Sequence, residues 1–353
     1  MDAHFRTILS RLKNEDLDAL IVFSPANISY LCGFISRDAY LLISGSEKIY
    51  FTDSRYLEEV KKYLKGKCIV RNIGESFAQA LAESLTNLKV KRLGFEAKQI
   101  TFDAFRRLKR VFAGSVDLVP LDNFVEELRQ KKSKAELVKI RRAVEITVEA
   151  LRYARRLIKP GIKEIEVAAD LERFIRIHGA DKAAFDVIVA SGPNSGFPHH
   201  CTGQRKLKNN EPVLVDLGVD YRGYKSDLTR VFFLGRINFS VRRSYDIVAQ
   251  AQSRALKAIK PGVLACEIDA AARRYISEKG FTGCFTHNVG HGVGLEIHEA
   301  PTISVKEKTK LKKGMVFTLE PAIYLPHQFG VRIEDMVLVT EKGAQVISGV
   351  LDK

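Results

Sequence analysis

The pattern of hydrophobic and polar positions in roughly the first 120 residues predicts a regular alternation of helices and strands. Residues 4–20 place apolar side chains at helical spacing, and the apolar run at 19–24 is typical of a short strand. Residues 39–53 contain two apolar runs around a turn at Ser44–Glu47, which predicts a β-hairpin. The alternation continues as helix 54–64, strand 67–72, helix 76–88, strand 92–96 and helix 101–112. This order is typical of an α/β domain.

A long charged segment connects this region to the second half of the chain. Residues 123–157 have the apolar spacing of an amphipathic helix and carry many Lys, Arg and Glu side chains. We place the division within residues 125–133 and predict an N-terminal domain at 1–128 and a C-terminal domain at 129–353. A chain of 353 residues is long enough for two domains.

The second half contains an internal repeat. Residues 158–179 and 259–280 share nine identities at an offset of 101 residues, including the Pro-Gly turn that opens each segment and the Gly that ends it. Any two helices after a Pro-Gly turn look alike, but the number of identities favours a duplicated half-domain. Two such halves would place a site at the pseudo-twofold between their sheets.

Residues 212–235 contain two apolar runs around the turn Asp220–Gly223, which predicts a second hairpin. If the turn is centred near Tyr221–Arg222, Asp216 and Asp227 lie directly opposite each other on neighbouring strands. Directly opposite residues have Cβ atoms roughly 4.5–5.5 Å apart, so two carboxylates in these positions repel each other.

Like Asp216 and Asp227, two later acids interrupt apolar runs that are expected to be buried. Glu320 lies inside "MVFTLEPAIYL" and Glu334 inside "GVRIEDMVLV". Each acid alone is accounted for by a salt bridge or an edge position. Four carboxylates buried in four strands require neutralisation, because an uncompensated buried charge is costly. Carboxylate-rich sites suit hard divalent ions such as manganese, so the four acids predict a metal site.

The stretch "GHGVGLEIHEAP" (290–301) holds two histidines seven residues apart. A zinc-protease helix places its two histidines four residues apart on one face, so this spacing excludes that motif. His291 and His298 are therefore either scattered core residues or members of a site whose other residues lie far away in the sequence.

Composition excludes several classes of protein. Hydrophobic residues make up 46% of the chain and charged residues 28%, as in globular proteins. No apolar stretch approaches the ~18 residues of a membrane span, and the N-terminus lacks the apolar core of a secretory signal. The five cysteines form no C-x-x-C pair, which indicates reduced thiols in a cytoplasmic protein.

The net charge of +15 raises nucleic-acid binding as an alternative function. The strongest basic runs lie at 106–112 and 127–146, and the sequence shows no helix-turn-helix, zinc finger or RNP-type aromatic motif to focus them. We interpret the charge as a solvated basic surface and expect neither a nucleic acid nor a membrane as partner.

Five motifs together resemble the ligand set of the pita-bread metallopeptidases, a family that includes methionine aminopeptidase, aminopeptidase P, prolidase and creatinase. They are "VDLG", "SDLTR", "GHGVGLEIHE", "TLEPAIY" and "VRIED", which carry Asp216, Asp227, His291, Glu320 and Glu334. The first domain resembles the creatinase-type domain of aminopeptidase P and prolidase. The resemblance implies an α+β protein, with a creatinase-like α/β domain followed by a pita-bread catalytic domain that has an internal pseudo-twofold duplication.

The resemblance also implies the roles of the ligands. Asp216 would bind one metal ion, His291 and Glu320 the other, and Asp227 and Glu334 would bridge both. We expect two divalent ions, manganese by preference, with cobalt or zinc as alternatives. A hydroxide shared by the two ions would attack the scissile carbonyl, and Glu320 would act as the general base that passes the proton to the leaving nitrogen.

A further histidine is implied by the segment 191–207, which resembles the part of the family that stabilises the tetrahedral intermediate. The pattern assigns this catalytic role to His199, with His200 as the alternative. His298 is implied to face the substrate and to take part in catalysis without binding metal.

Two other polar residues are implied at the substrate site. His287 would line the pocket, and Arg332 would contact substrate and orient Glu334. For both, a purely structural role in the polar core remains equally open. The glycines at 290, 292 and 294 are expected to let the backbone turn tightly between His291 and His298.

Retention of all five ligands argues against creatinase, whose metal positions are altered, and the additional N-terminal domain argues against methionine aminopeptidase. We expect an Xaa-Pro aminopeptidase of the aminopeptidase P type, which releases the N-terminal residue from peptides whose second residue is proline. The alternative is a prolidase that cleaves Xaa-Pro dipeptides, and a remote alternative is a non-catalytic pita-bread binding protein.

The preference for the aminopeptidase rests on one position. Prolidases hold the proline carboxylate with a cation, and close archaeal prolidases have an arginine where this chain has Thr302, directly after Pro301. Lys306 or Arg37 could replace that arginine from another direction, for example across a homodimer, which we expect as the oligomeric state. Without such a cation, tripeptides would be better substrates than dipeptides.

Overall fold

The computed structural model describes residues 3–45 and 47–349, and the chain forms two compact units that divide between Arg129 and Gln130. This division lies one residue after the predicted one, and the independence of the two units as domains stays a prediction. Ser46, within the predicted turn Ser44–Glu47, lies outside the described residues, as do the first two and last four positions of the predicted domains.

The described residues of the first unit build one six-stranded sheet, as an α/β domain requires. Its strands are β1 (Ala19–Val22), β2 (Ala39–Ser44), β3 (Glu47–Thr52), β4 (Ile69–Asn72), β5 (Arg92–Glu96) and β6 (Asp117–Leu121). Their order is β4-β3-β2-β1-β5-β6. The predicted hairpin is β2 and β3, whereas β4, β5 and β6 each pair in parallel with a neighbour.

The helices of this unit are α1 (Ala3–Asn14), α2 (Pro25–Cys32), α3 (Leu57–Leu64), α4 (Phe77–Asn87), α5 (Phe102–Val111) and α6 (Glu126–Arg129). The sheet separates two apolar cores, and the side chains of β1 alternate between them. Leu20 and Val22 belong to one core, and Ala19 and Ile21 to the other. A strand buried on both faces has a continuous apolar sequence, which is why β1 was recognisable.

The sequence pattern missed α2, although its boundaries carry ordinary helix signals. The Ser24 side chain accepts a hydrogen bond from the backbone of Asn27, Pro25 occupies the first turn, and Gly33 ends the helix with φ at 66°. The helix has only eight residues, and one of its four buried positions is the polar Asn27, so the apolar pattern is too short and incomplete to identify it.

The long helix predicted at 123–157 is wrong as a single element. It divides into α6 and α7 (Lys134–Leu157), because Ser133 forms a capping box with Glu136 and starts a new helix. The intervening Lys131 pairs with Met315 as an isolated antiparallel bridge, which holds this connection in an extended conformation.

The second unit continues with helices α8 (Glu164–Ile177), α9 (Phe239–Ala258) and α10 (Ala265–Glu278). Its strands are β7 (Lys182–Ala183), β8 (Ile188–Ser191), β9 (Glu211–Leu217), β10 (Val219–Tyr221), β11 (Tyr224–Lys225), β12 (Leu228–Leu234), β13 (Gly290–Gly292), β14 (Glu299–Ile303), β15 (Val316–Leu319), β16 (Ala322–Leu325), β17 (Phe329–Arg332), β18 (Asp335–Val339) and β19 (Ala344–Val346). Within the described residues, no helix is long and apolar enough to cross a membrane.

The internal repeat corresponds to a structural duplication. α8 and α10 start at equivalent positions of the two repeats, each preceded by a glycine with positive φ, Gly161 at 92° and Gly262 at 91°. The N–H of Gly161 donates to Leu207 O and that of Gly262 to Leu311 O, both at 2.8 Å. The following strands repeat as the antiparallel series β8-β9-β12 and β13-β15-β18.

Each half of the unit contains one long hairpin with an interruption. In the first hairpin (211–234), β9 pairs with β12 and, beyond a short gap, β10 pairs with β11. In the second hairpin (316–339), β15 pairs with β18 and, beyond a gap, β16 pairs with β17. The register is the same on both sides of each gap, so each hairpin is one ladder that loses its regular pairing locally.

Candidate metal centre and active site

The four predicted carboxylates lie at or next to these interruptions. Asp216 is in β9, but Asp227 lies between β11 and β12, Glu320 between β15 and β16, and Glu334 between β17 and β18. The prediction that all four lie within strands is therefore wrong for three of them. An apolar run continues across such a gap, so the sequence does not show where the regular pairing ends.

The predicted pairing of Asp216 with Asp227 is also wrong. The turn is centred on Arg222 and Gly223, whose φ values of 50° and 83° are those that a tight hairpin turn requires. Asp216 is thus opposite Thr229, and Asp227 is diagonal to it on the same face. The error in the turn shifted the register by two residues, which leaves every side chain on its face of the sheet.

The second hairpin contains the directly opposed pair of acids. Leu319 pairs with Asp335 before the gap and Ala322 with Arg332 after it, so the same register places Glu320 opposite Glu334. Like charges directly opposite each other destabilise a sheet. The repulsion predicted for the first hairpin is thus found in the second.

His291 lies in β13, beside β15 of the second hairpin. Glycine is required on both sides of it because a Cβ atom at Gly290 would overlap the backbone of Thr318, and one at Gly292 would lie 2.5 Å from Glu299 O. Neither glycine has a positive φ. These two glycines therefore serve the close approach of neighbouring strands. The expected turn between His291 and His298 is present, because the chain reverses direction between the antiparallel strands β13 and β14, and the N–H of Gly294 donates to Glu296 O within it.

The electrostatics of the carboxylates favour neutralisation, by a proton or by a cation between them. Burial, followed by the charge of Glu334, raises the pKa of Asp227 well above its usual value. Burial also raises the pKa of Glu334 well above its usual value and that of Glu320 to about 7. Among the described residues, Oδ1 of Asp216 and Oδ1 of Asp227 are buried and accept no hydrogen bond. Buried oxygens of this kind are available to bind a cation.

The spacing of the donor atoms fits a metal ion. Single ligand atoms of Asp227, His291 and Glu334 all lie within 4.8 Å of one another. Nε2 of His291 is 3.5 Å from Oδ2 of Asp227 and 3.4 Å from Oε1 of Glu320. These separations exceed the usual ~2.9 Å of a hydrogen bond. They are close to the spacing expected for ligands that each lie ~2.1 Å from one ion.

The protonation of His291 also suits metal binding. Its Nδ1 is 3.2 Å from the carbonyl oxygen of Gly292, which can only accept, so Nδ1 carries the proton and Nε2 is free. Burial, followed by the neighbouring His298, lowers the pKa of His291 to about 4. The imidazole is therefore neutral near pH 7, as a metal ligand must be.

Arg332 holds Asp216 rather than Glu334. Its Nη2 donates to Oδ2 of Asp216 at 2.6 Å, and its Nε donates to the hydroxyl of Thr229 at 2.9 Å. That hydroxyl in turn donates to Oε2 of Glu334 at 2.8 Å. The predicted effect of Arg332 on Glu334 is thus indirect, because Thr229 lies between them.

All five predicted ligands line one cavity of about 840 Å³. The same cavity is lined by His199, His200, His287, His298, Thr302 and Arg332. The site therefore brings together the residues predicted from the five motifs and from the segment 191–207.

The two candidate histidines of that segment have different surroundings. His200 lies with Nε2 3.0 Å from Oε2 of Glu164, a fully buried carboxylate that also accepts hydrogen bonds from Ser191 and Asn194. His199 is exposed in the cavity. Burial lowers the pKa of the neighbouring His287 to about 4 and also lowers that of His298, and the nearby imidazole of His199 contributes to both shifts. These contacts give His200 a structural position and leave His199 accessible to a substrate.

His287 and His298 lie on opposite sides of His291 in the sequence and contact the site directly. Nε2 of His287 is 3.1 Å from the hydroxyl of Tyr324, and its Nδ1 is 3.8 Å from Oε2 of Glu320. The ring of His298 makes an edge contact with that of His291, with the centroids 4.3 Å apart.

Comparison with known proteins accounts for this arrangement. Residues 138–341 match the model of metallopeptidase family M24, and residues 5–131 match that of the creatinase/prolidase N-terminal domain. The chain belongs to family M24.

Individual M24 relatives cover nearly the whole chain. An Xaa-Pro dipeptidase of Pyrococcus furiosus is 35% identical over 98% of this chain and 97% of its own sequence. The structure of an Xaa-Pro dipeptidase from Bacillus anthracis has a TM-score of 0.95 at 34% identity, covering 99% of this chain and 98% of that one. An X-Pro aminopeptidase from Thermotoga maritima has a TM-score of 0.89 at 34% identity, covering 97% and 99%.

Membership of family M24 confirms the predicted fold, with a creatinase-type domain followed by a pita-bread domain, and confirms that the chain is a metallopeptidase. The family implies divalent metal ions but not which metal. The predicted aminopeptidase subtype is not confirmed.

The M24 site contains functional contacts that the sequence did not indicate. Thr229 and Tyr324 contact Arg332, and Tyr324 also contacts His287. Both residues lie within the motifs "SDLTR" and "TLEPAIY", but the sequence assigned a role only to the acid of each motif. A threonine in a strand and an aromatic residue in an apolar run are usually structural, so neither drew attention by itself.

Of the three residues considered for substrate length, the structure places one, Thr302, in the cavity. Thr302 pairs with His291 across β13 and β14 and lines the M24 cavity. Lys306 is exposed after β14, and Arg37 is exposed in the first unit.

Proposed function

We propose that this M24 chain is an Xaa-Pro dipeptidase, a prolidase that uses two divalent metal ions. The convergence of Asp216, Asp227, His291, Glu320 and Glu334 on one cavity carries the metallopeptidase chemistry. The dipeptidase activity is supported by relatives with that name at 34–35% identity across nearly the full chain. This proposal replaces the aminopeptidase expected from Thr302.

The residues present would hold the ions in the way that the resemblance implies. Asp216 would hold one ion, His291 and Glu320 the other, and Asp227 and Glu334 would lie between both. Bound divalent cations would supply a lower pKa for a water molecule and polarisation of the scissile carbonyl. The oxygen-rich set of four carboxylates and one imidazole supports manganese.

The chain's own residues would position the substrate and move the proton. Glu320, whose pKa burial raises to about 7, is suited to accept a proton from the attacking water and to donate it to the proline nitrogen. That nitrogen belongs to a tertiary amide, so it must be protonated as it leaves. His199 would donate a hydrogen bond to the carbonyl oxygen as negative charge develops on it. His298 and His287 would contact the bound peptide from the other wall of the cavity.

A second candidate is the aminopeptidase activity named for the Thermotoga maritima relative. Thr302 favours it, because a neutral side chain lies where an arginine would hold the proline carboxylate. A carboxylate without a cationic partner loses solvation without compensation. We also propose that the chain forms a homodimer. A cation such as Arg37 that reaches the partner's cavity would then hold the proline carboxylate, and Thr302 would no longer argue against dipeptidase activity. We propose a cytoplasmic location on the basis of cysteine usage.

The experiment compares Ala-Pro with Ala-Pro-Ala on the manganese-loaded protein. A dipeptidase should show the higher kcat/KM for Ala-Pro, and Ala-Ala should be cleaved poorly by either activity. Preference for the tripeptide would favour the aminopeptidase and contradict the dipeptidase proposal. Thr302→Arg should then raise kcat/KM for Ala-Pro by about 10-fold, which corresponds to about 1.4 kcal/mol.

A further inference from the structure

Gln252 of α9 contacts the second hairpin at its interruption. The residue is fully buried, and its side-chain Nε2 donates to Leu319 O and to Ile333 O, both at 3.1 Å. A side-chain amide nitrogen has two hydrogens, so both are used. Leu319 and Ile333 are the residues immediately before Glu320 and Glu334, which lie opposite each other in the gap.

The need for this contact follows from Pro321. Within the gap, the N–H of Ile333 donates to Pro321 O at 3.4 Å, as one half of an antiparallel hydrogen-bonded pair. In a regular pair, the backbone N–H of residue 321 would donate a second hydrogen bond to Ile333 O. Residue 321 is proline, which has no N–H, so this second bond is missing. A buried carbonyl left without a donor costs about 1–3 kcal/mol, and Gln252 supplies the donor.

The contact also acts on both strands of the hairpin at once. The side-chain nitrogen of Gln252 donates to both Leu319 O and Ile333 O. It therefore fixes the distance between the two strands of the hairpin next to Glu320 and Glu334. The two carboxylates repel each other when both are ionised, as they must be to bind a cation, and this repulsion would widen the gap. Gln252 opposes that widening from behind the hairpin.

We propose that Gln252 is a positioning residue for the metal centre, which holds the backbone of the second hairpin so that Glu320 and Glu334 keep the separation that a metal ion requires. The inference rests on the proposed metal site. Gln252 itself contacts neither the ion nor the substrate.

The test is the affinity of the metal-free protein for Mn²⁺, measured by calorimetry for the wild type and Gln252→Leu. Loss of an outer partner of metal ligands weakens binding by about 10–100-fold, and we expect this range for Gln252→Leu. The Mn²⁺ concentration for half-maximal activity should rise by the same factor, with kcat recovering at saturating Mn²⁺. Ser244→Ala, at another fully buried polar position of α9, is the matched control and should bind Mn²⁺ like the wild type.

A second-site variant separates positioning from general packing. Pro321→Ala restores a backbone N–H that can donate to Ile333 O. In the Gln252→Leu background it should recover part of the lost Mn²⁺ affinity, whereas alone it should change the affinity little. A double-mutant cycle measures this coupling.

Three outcomes decide between the possibilities. If Gln252→Leu lowers the melting temperature of the metal-free protein but binds Mn²⁺ as tightly as the wild type, its role is structural and the inference is overturned. If Gln252→Leu does not fold, Gln252→Asn, whose shorter side chain keeps the amide, must show the weaker binding instead. Failure of the wild type to bind any divalent ion would contradict the proposed function itself.

Discussion

The two hairpins of the catalytic unit carry two carboxylates each, but they place them differently. In the first, Asp216 and Asp227 are diagonal on the sheet, and Ser226 of the hairpin closes the gap. Its hydroxyl accepts from the N–H of Val219 at 3.0 Å and lies 2.7 Å from the hydroxyl of Thr147 in α7. In the second, Glu320 and Glu334 are directly opposite, and Gln252 closes the gap from a helix. Both halves thus have an interrupted hairpin with a helix side chain at the gap, but the helix side chain bonds the backbone of both strands only in the second.

Each hairpin also orients a carboxylate of the other. Arg332 of the second hairpin donates to Asp216 of the first, and Thr229 of the first donates to Glu334 of the second. The N–H of Glu334 donates in addition to Thr229 O at 3.2 Å. The candidate metal centre is therefore arranged by both halves together, and a hairpin alone would leave its acids without these donors.

The largest effect is expected from removing one carboxylate of the second hairpin. Glu334→Ala should abolish both metal binding and peptidase activity, because it removes an oxygen donor that faces both Asp227 and His291. Metal content by mass spectrometry and hydrolysis of Ala-Pro measure the two consequences. Retention of both would show that the first hairpin binds the ions without the second.

A residue outside both hairpins should affect the chemistry without affecting the metal. His199→Ala should lower kcat by roughly 10²–10³, the range for losing one donor to a developing oxyanion. Metal content should stay at the wild-type value. His200→Ala should instead lower the melting temperature, because it removes one of the partners of the buried Glu164. If the fall in kcat follows His200 instead, the assignment between the two histidines is reversed.

The hydrogen bond from Thr229 of the first hairpin to Glu334 of the second can be removed by a substitution that keeps the shape of the side chain. Thr229→Val replaces a hydroxyl by a methyl group at a fully buried position, so Glu334 loses a hydrogen bond while packing is kept. We expect about 10-fold weaker metal binding, at the lower end of the range for outer partners of a metal site. Calorimetry with Mn²⁺ measures it. An affinity equal to that of the wild type would mean that Glu334 is held by its own hairpin.

The smallest effect concerns the pH dependence of stability in the metal-free protein. Glu320 has its pKa raised from 4.5 to about 7, so between these values the folded chain binds more protons than the unfolded chain. The free energy of unfolding must therefore decrease as the pH rises from 4.5 to about 7, and it is largest at the acid end of this range. The decrease due to Glu320 is on the order of 3 kcal/mol. Melting temperatures at pH 5 and 8 should show the fall, Mn²⁺ should offset it, and Glu320→Gln should reduce it. An increase in melting temperature that Glu320→Gln leaves unchanged would contradict the assignment.

How far the sequence predicts the structure differs between the halves of this site. The ligand positions were recognisable because acids inside apolar runs are rare, and the repeat was recognisable because turn and cap residues recur at a fixed offset. The register of the first hairpin could not be predicted correctly from the sequence. The turn is centred on Arg222–Gly223, one residue further along than the predicted centre at Tyr221–Arg222, and the sequence does not distinguish the two. Contacts such as Arg332 with Asp216 join residues 116 positions apart, and a single sequence contains no signal for them.

The most direct test of a shared metal centre is a titration of chelator-treated protein with Mn²⁺, following bound metal and Ala-Pro hydrolysis in the same samples. Both should start at zero and rise together in the wild type. In Asp227→Ala and Glu334→Ala, one variant from each hairpin, both should stay near zero over the same Mn²⁺ range. Full hydrolysis by the metal-free wild type, or normal metal binding in either variant, would contradict a centre built jointly by the two hairpins.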